Sequence, residues 1–362
     1  MEPARLRAIL ARAPGLVARH LTLATGEPAA AVLNAEMLPG LLRQALPRRT
    51  RAWLESPDQR LIDSDLRSIE TNGYQILCCL DPGYPRALAL TQAAPAALYA
   101  RGNPGALGRP ALAIVGTPQA TTAGIETARR FAAELGRAGL TLISGLAEGI
   151  DTAVQQGVLA ADLAGVAVGT AGLDRIQPAR SAQLAAQVCG QGCLVSCFAP
   201  GTPPRRYHFP LRNRLLAALA AGVLVVEAGA GSGALSVAAQ ARGLQRRVFA
   251  IPGSIRDPQS RACNQLIREG ATLVQHSSEI LEDLNLENIQ TITEAATTRG
   301  EPPPLDNKYE MLLDAAGFEP VDIDILALRT GWSGQAVASM LLLLELQGRV
   351  APQPGGRYCR MS

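Results

Sequence analysis

Residues 111–145, ALAIVGTPQATTAGIETARRFAAELGRAGLTLISG, decide the fold, because two apolar runs enclose a segment whose apolar residues have helical spacing. Continuously apolar runs are typical of parallel strands that are covered on both faces. Similar runs follow at spacings that fit repeated βαβ units: VAVG at 166–169, CLVSCF at 193–198, VLVVEA at 223–228 and RVFAIP at 247–252. The sequence therefore predicts an α/β fold with a doubly wound sheet between Ala111 and about Asp283.

Glycines stand where these predicted strands end: Gly116, Gly145 to Gly149, Gly169 to Gly172, Gly229 to Gly233, and Gly253. Ligands of doubly wound sheets bind at the carboxyl ends of the strands, so this edge is the predicted binding edge. The first predicted strand is not followed by G-x-G-x-x-G, and the chain has no G-x-x-x-x-G-K-[ST]. These absences disfavour nicotinamide and nucleoside triphosphate chemistry.

Helical patterns flank the sheet region. Residues 1–70 are predicted to form a small helical domain, and the apolar pieces ILCCL and ALYA that follow are assigned to the sheet domain at 71–285. The polar residues 286–306 are predicted to be a linker. Residues 307–362 show three helical patterns and a short hairpin, which is typical of a winged helix. The second helix of its predicted helix-turn-helix, the candidate recognition helix, is nearly uncharged, which favours protein contact or packing over DNA binding.

Residues 199–218, APGTPPRRYHFPLRNRLLAA, carry arginines beside aromatic residues. Guanidinium groups match phosphate oxygens, and the flat faces of Tyr207, His208 and Phe209 suit stacking with unpaired bases. Residues 200–270 hold ten arginines and three acidic residues, a net +7, so the rest of the chain carries −4 of the total +3. This patch predicts a phosphate-bearing partner rather than a membrane. A solvated loop with ordinary surface arginines stays open as the alternative.

Other functional classes have little support. Seven cysteines are an odd number and no secretory leader pattern precedes them, so we expect a cytoplasmic protein without a disulfide framework. No uncharged apolar run reaches the ~20 residues of a membrane span. Cys189, Cys193 and Cys197 lack the partner motif of a zinc site, so we expect no metal and no cofactor. Asp151 and Glu148 fit a helix start better than an acid/base pair, and no catalytic residue is predicted.

Six collinear motifs resemble the DprA family, also called Smf, the DNA-processing proteins of natural transformation. They are AIVGTPQAT (113–121), SGLAEGID (144–151), GTAGLDRIQP (169–178), PGTPPRRYHFPLRNRLLAALA (200–220), VVEAGAGSGAL (225–235) and FAIPGSIRDPQSRACNQLIREGA (249–271). The resemblance implies a Rossmann-like core that binds single-stranded DNA, an N-terminal SAM-like helical domain and a C-terminal winged-helix domain. It further implies a non-enzymatic protein of competent cells that forms homodimers and helps RecA load where single-strand-binding protein blocks it.

The resemblance also implies strand-binding positions: Gly116, Thr117, Gly145, Ala147, Gly149, Arg212, Asn213, Arg214, Ser232, Gly233, Gly253, Ser254 and Asn264. The chemistry of the residues alone adds Arg205, Arg206, Tyr207 and Phe209. Pro118 and Glu148 stand where the family has arginine, so we expect weaker binding and a smaller dependence on salt. Arg175, Arg205 and Arg206 are candidates to compensate.

Two other functions stay open on the sequence. A Rossmann-like nucleotide hydrolase of the phosphoribohydrolase type would show PGGxGTxxE, where this chain has AGAGSGALS at 228–236. A degenerate paralogue that acts only through protein contacts is favoured by Pro118 and Glu148. Base release from nucleoside monophosphates, or the affinity for single strands, separates these functions from the first.

Overall fold

The structure is a computed structural model and describes residues 3–25, 46–91, 94–284, 307–316, 321–346, 350–353 and 357–360. The chain divides into two compact units, residues 1–293 and 294–362. The predicted linker at 286–306 lies outside the described residues. The boundary predicted between residues 70 and 71 stays a prediction.

The larger unit combines twelve described helices with nine strands. The helices are α1 Pro3–Arg12, α2 Ala18–Thr25, α3 Arg48–Glu55, α4 Gln59–Asn72, α5 Arg86–Ala89, α6 Thr122–Arg137, α7 Ile150–Ala160, α8 Ala182–Gln191, α9 His208–Leu219, α10 Gly233–Gly243, α11 Arg261–Arg268 and α12 Ser277–Asp283. The strands are β1 Tyr74–Cys78, β2 Ala97–Gly102, β3 Ala111–Val115, β4 Thr141–Ser144, β5 Gly165–Val168, β6 Cys193–Ser196, β7 Gly222–Val225, β8 Arg247–Ala250 and β9 Thr272–Leu273.

The strands form one sheet in the order β1-β2-β6-β5-β4-β3-β7-β8-β9. Neighbours from β6 to β9 are parallel, whereas β1 and β2 add an antiparallel edge. The six strands predicted from apolar runs are confirmed, and ILCCL and ALYA are confirmed as contributors to the same sheet. Strand β9 was not predicted, since two residues are too few to give an apolar pattern.

Helices cover both faces of the sheet. Successive residues of a strand point to opposite faces, so Ile114 packs in one core cluster with Phe131 of α6, whereas Val115 packs in another with Leu216 of α9. All four side chains are at most 2% exposed. Truncation of Phe131 to alanine is expected to cost about 3–5 kcal/mol. Because helices cover both faces of the sheet, both sets of alternating side chains are buried, and the strands are continuously apolar.

The direction of winding reverses between β3 and β7. From β3 the chain passes through α6 to β4 on one side, and from β7 it passes through α10 to β8 on the other. A crevice forms outside the carboxyl ends of the strands at such a switch point. The glycine-containing loops that follow these strands all lie at this edge.

The N-terminal helices pack on the antiparallel edge. Helix α1 contacts both β1 and β2. Arg12 donates to Asp65, which is only 1% exposed and also accepts a 3.3 Å bond from the Tyr99 hydroxyl. The Asp65 hydrogen bond raises the pKa of Arg12 above its ordinary value. The same guanidinium donates to the carbonyl of Pro200 at 3.3 Å. Helix α1 therefore contacts residues 199–218, the stretch with arginines beside aromatic residues, which we call the basic segment.

The smaller unit contains three helices and three strands among its described residues: α13 Asn307–Ala316, α14 Ile323–Thr330, α15 Gly334–Leu346, β10 Val321–Asp322, β11 Val350–Gln353 and β12 Arg357–Arg360. Its antiparallel sheet has the order β10-β12-β11. Gly331, with φ +73°, ends α14 in the left-handed conformation that favours glycine. The predicted helix-turn-helix and hairpin of a winged helix are confirmed.

The described ranges show neither a membrane-spanning helix nor a metal-ligand cluster. Every helix there is too short or too polar to span a bilayer. The same ranges hold no group of three or more His, Cys, Asp and Glu side chains that fits a metal ion. Free thiols are found at Cys78, Cys79, Cys189, Cys193, Cys197 and Cys263, and burial raises the pKa of Cys193, Cys197 and Cys263 to about 12.

Candidate nucleic-acid interface

The β3 loop (residues 116–121) and the β4 loop (residues 145–149) lie against each other. Gly149 has φ +69°, and a Cβ there would overlap the carbonyl oxygen of Thr117. The amide of Ile150 donates to the same oxygen at 3.3 Å. Only glycine at position 149 therefore permits this approach, which brings two of the predicted binding loops together.

Arg212 lies beneath the β4 loop rather than on the surface. Its side chain is 9% exposed, and Nη2 lies 3.5 Å from Oδ2 of Asp151. A Cβ at Gly145 would overlap the Asp151 carboxylate and crowd the guanidinium, so this glycine makes room for the pair. The binding of phosphate by Arg212 stays a prediction, and its guanidinium already lies beside one carboxylate.

Asp151 is buried in the first turn of α7, whose cap residue is Gly149 and offers no side chain to bond the helix. Burial raises the pKa of Asp151, while Arg212 and the amides of Ala147 and Gly145 oppose this shift. Asp151 was expected to order the start of this helix. Because its side chain also interacts with the amides of Ala147 and Gly145, it orders the β4 loop as well.

The basic segment presents two aromatic side chains to solvent. Tyr207 is 61% exposed and Phe209 is 47% exposed, next to the exposed Arg205, Arg206 and Arg214. The Arg205 Cζ atom lies 5.9 Å from the centroid of the Tyr207 ring, within the range of a cation–π contact. Exposed aromatic rings beside exposed guanidinium groups are typical of interaction sites rather than of ordinary surface.

His208 lies between these aromatic residues but points inward. It is 3% exposed, stacks on Phe198 with ring centroids 3.9 Å apart, and has Nδ1 2.9 Å from the carbonyl oxygen of Thr170. The interpretation of His208 as a stacking surface is therefore wrong. Its ring instead fixes the start of α9, so that its neighbours Tyr207 and Phe209 face outward.

A cavity of about 280 Å³ opens at the carboxyl ends of β4 and β5. Its walls are mostly apolar and include Leu146, Leu173 and the ring of Phe209. The guanidinium of Arg212 adds a positive charge to the wall. Pockets for small ligands have this composition, apolar walls with few polar groups. Phe209, one of the exposed rings, is thus also part of the wall of this cavity.

The β7 loop (residues 226–232) and the β8 loop (residues 251–257) form the other part of the edge. Ser232 caps α10 by accepting a 3.3 Å bond from Ala234. Asn264 donates to the carbonyl of Gly253 at 2.9 Å and accepts from its amide at 3.3 Å. Asn264 therefore acts first on the shape of the β8 loop, while Ser254 is exposed.

Helix α9 connects the two parts of the edge. Arg212 contacts the β4 loop, and the next residue, Asn213, donates to the carbonyl of Gly233 at 3.4 Å. Asn213 is 7% exposed.

The predicted positions thus include four buried residues that hold loops in place, namely Thr117, Gly145, Arg212 and Asn213. The other predicted positions are partly or fully exposed at the same edge: Gly116, Ala147, Gly149, Arg205, Arg206, Tyr207, Phe209, Arg214, Ser232, Gly233, Gly253, Ser254 and Asn264.

Glu227 fills the crevice at the switch point, a role that was not predicted. Its carboxylate accepts bonds from the Thr121 amide at 2.9 Å and the Thr121 hydroxyl at 2.6 Å, and its carbonyl accepts from the Thr117 amide at 2.7 Å. A Cβ at Gly124 would overlap this carboxylate. A negative side chain therefore stands where a doubly wound fold would take the phosphates of a dinucleotide. The signal in the sequence is an acidic residue directly after an apolar strand.

Glu148 forms an ion pair with Arg180 from the turn that precedes α8. The negative charge at this position, where the family has arginine, is thus matched by a cation in the described structure. Arg175 lies next to Asp174, with Nε 3.7 Å from a carboxylate oxygen, and also lines the cavity.

A doubly wound sheet whose carboxyl edge carries glycine loops, exposed guanidinium groups and exposed aromatic rings defines a Rossmann-like protein with a cationic edge. Comparison with known proteins narrows this class: the chain belongs to the DprA family. The family model described as DNA recombination-mediator protein A matches residues 75–285, and that of the DprA winged helix domain matches residues 296–356.

The similarity extends over most of the chain. Protein Smf of Escherichia coli strain K12 is 37% identical over 313 residues, which is 85% of this chain and 79% of that protein. DNA processing protein DprA of Streptococcus pneumoniae is 36% identical over 222 residues, which is 61% of this chain and 78% of that protein.

Solved structures of proteins from the same family superpose on this chain. The X-ray structure of Streptococcus pneumoniae DprA superposes with a TM-score of 0.66 at 28% identity, covering 78% of this chain and 98% of that one. DNA processing protein A of Helicobacter pylori, whose single-stranded DNA binding mode has been studied structurally, superposes with a TM-score of 0.54 at 26% identity. It covers 60% of this chain and 97% of that one.

Proposed function

We propose that this protein binds single-stranded DNA without sequence preference and acts as a recombination mediator in natural transformation. The observation that carries the proposal is the exposure of Tyr207 and Phe209 beside Arg205, Arg206 and Arg214, next to a cavity at the same edge. Single-strand binding combines these two elements, cations along the backbone and aromatic faces for the bases. The Helicobacter pylori relative, described by its single-stranded DNA binding mode, supports the same ligand.

The geometry suggests how unpaired strands are preferred over duplex. Exposed arginines bind phosphates in either form, but only unpaired bases have free faces for Tyr207 and Phe209. The cavity beside Phe209 has room for a planar base that has left its stack. Its walls are largely apolar and carry few groups that distinguish one base from another, so recognition is by shape rather than by sequence.

The proposed site divides by role. Residues that contact the strand are Gly116, Ala147, Gly149, Arg205, Arg206, Tyr207, Phe209, Arg214, Ser232, Gly233, Gly253, Ser254 and Asn264. Residues that position these contacts are Thr117, Gly145, Arg212 and Asn213, because each of them is buried in the described structure. The guanidinium of Arg212 reaches the cavity wall but is paired with Asp151.

We assign the protein a holding role rather than a catalytic one. Membership in a family described as recombination mediators supports RecA as its partner, with single-strand-binding protein as the competitor it helps to displace and a homodimer as the acting form. No cofactor is part of the proposal. Nucleotide hydrolysis is the second candidate, but Glu227 fills the crevice where a nucleoside phosphate would bind such a fold.

Titration of the full chain with fluorescent oligothymidine and with duplex DNA, at about 50 and 200 mM salt, tests the proposal. We expect tighter binding of the single strand at both concentrations and weaker binding of both ligands at the higher one. Equal affinity for the two ligands, or no binding of oligothymidine, would refute the proposed function. Displacement of single-strand-binding protein by RecA on the same oligonucleotide then tests the mediator role.

A further inference from the structure

A polar groove lies beside the cavity. It has a volume of about 470 Å³ and runs between α7 and α8. Its walls carry three glutamines, Gln156 from α7 and Gln183 and Gln187 from α8, and its edge carries the ion pair of Glu148 and Arg180. No sequence pattern had marked these glutamines.

The groove and the cavity are lined by neighbouring residues of the same two chain segments. Ala147 lines the cavity and the next residue, Glu148, lines the groove. On the other side, Pro178 lines the cavity and Arg180 lines the groove. A strand that occupied both spaces would pass the Glu148 and Arg180 pair, which lies between them along both segments.

The groove walls suit a polar chain rather than an apolar one. Gln183 and Gln187 are four residues apart on α8, and Thr152 and Gln156 are four apart on α7, so each pair lines one face of its helix. Amide side chains both donate and accept hydrogen bonds, which matches sugar, phosphate and base edges. A protein partner would call for an apolar centre, and Leu184 is the single large apolar side chain among the lining residues.

The charges of the groove favour a phosphate chain. The side chain of Arg180 is 70% exposed and that of Glu148 is 39% exposed. Exposed ion pairs are weak, so a phosphate group can take Arg180 from its partner. Arg129, from the neighbouring helix α6, donates to Oε1 of Gln156 on α7 at 2.6 Å and orients this amide. Arg180 thus lines the groove itself, and a second arginine is bonded to one of the lining glutamines.

We propose that the groove between α7 and α8 is a second polynucleotide subsite, in which nucleotides leaving the cavity are held by Arg180 and the glutamine amides. This inference rests on the proposed function, since it takes the same ligand further along its path. It predicts that long strands gain affinity from the groove, while strands short enough to occupy the first site alone do not.

The experiment compares the full-length protein with two variants on oligothymidines of about 6 and about 15 nucleotides. The variants are the double substitution Gln183→Ala with Gln187→Ala, and Arg180→Ala. Gln191→Ala is the matched control for the first, because Gln191 carries the same amide at the exposed end of the same helix and does not line the groove. Arg137→Ala is the control for the second, because it removes the same charge from the exposed end of α6.

We expect the glutamine variant to bind the long oligonucleotide about fivefold more weakly, with affinity for the short one unchanged. Arg180→Ala should weaken only the long complex and reduce its salt slope by about 0.7. The inference is overturned if both variants bind the long strand within about twofold of the controls, or if both lengths weaken equally. If the unaltered protein binds neither oligonucleotide, it is the proposed function that fails.

Discussion

Arg212 and Asp151 lie with Nη2 and Oδ2 3.5 Å apart beneath Gly145, and their side chains are 9% and 6% exposed. The pair joins α9 to the start of α7 under the β4 loop. Two residues further on, Arg214 is exposed. The two arginines of one Arg-Asn-Arg sequence therefore have different surroundings, and we predict different roles for them, one in stability and one in binding.

We predict that Arg212→Ala lowers the free energy of unfolding by about 3 kcal/mol, because it leaves the Asp151 carboxylate buried without its partner. Chemical denaturation of the larger unit measures this change. Arg214→Ala is the control and should alter stability by no more than about 0.5 kcal/mol. Equal stability of the two variants would contradict the assignment of Arg212 as a positioning residue.

Arg214→Ala should act on binding instead. An exposed guanidinium that contacts one phosphate contributes about 0.7 to the salt slope of a single strand, so the slope should fall by that amount. Fluorescence titrations with oligothymidine over a range of salt concentrations measure it. An unchanged slope, with unchanged affinity, would remove Arg214 from the interface.

The pH dependence of stability should depend on Asp151. Burial raises its pKa above the ordinary value of 3.8, so the folded protein holds this proton at a pH where the unfolded chain has released it. The contribution of this group to stability therefore falls as the pH rises from about the unfolded pKa through the raised folded pKa. Asp151→Asn removes this titration. The free energy of unfolding of the native chain, measured relative to that of this variant, should fall as the pH rises through this window, and a constant difference would contradict the burial.

The sheet could be predicted from the sequence because each parallel strand is covered on both faces and is therefore continuously apolar. The different positions of Arg212 and Arg214 were missed, although the pattern contained a signal. Successive residues of a helix differ by about 100° in direction, so positions 212 and 214 point to opposite sides. Position 212 lies on the same face as the buried Leu215, Leu216 and Leu219, which marks it as inward.

Other features depended on contacts between distant parts of the chain. The ion pair of Glu148 with Arg180 joins residues from two loops, and no local pattern connects them. The bonds between Glu227 and Thr121 join the ends of neighbouring parallel strands that are far apart in sequence. Neither contact could be read from spacing, because the register of the sheet decides which loops meet.

The two exposed rings give a prediction that separates binding from folding. Tyr207→Ala and Phe209→Ala should each weaken oligothymidine binding by about 1–3 kcal/mol, the usual worth of one base stacked on an aromatic side chain. Because the rings are 61% and 47% exposed, the thermal midpoint should hardly change. Leu328→Ala is the control, since Leu328 is 86% exposed in the smaller unit. Binding that weakens equally in the control would exclude a specific role for the rings.

The space around Glu227 gives a last prediction, on stability. Alanine in place of a helical glycine usually stabilises by up to about 1 kcal/mol. At Gly243, near the end of α10, nothing lies within 4 Å of an added Cβ, and Gly243→Ala should follow this rule. At Gly124 the added Cβ would overlap the Glu227 carboxylate and disturb its bonds to Thr121, so Gly124→Ala should destabilise by about 1–3 kcal/mol. Thermal or chemical unfolding measures both variants. If Gly124→Ala is as stable as Gly243→Ala, Glu227 is not fixed in the crevice, and its exclusion of nucleoside phosphates loses its basis.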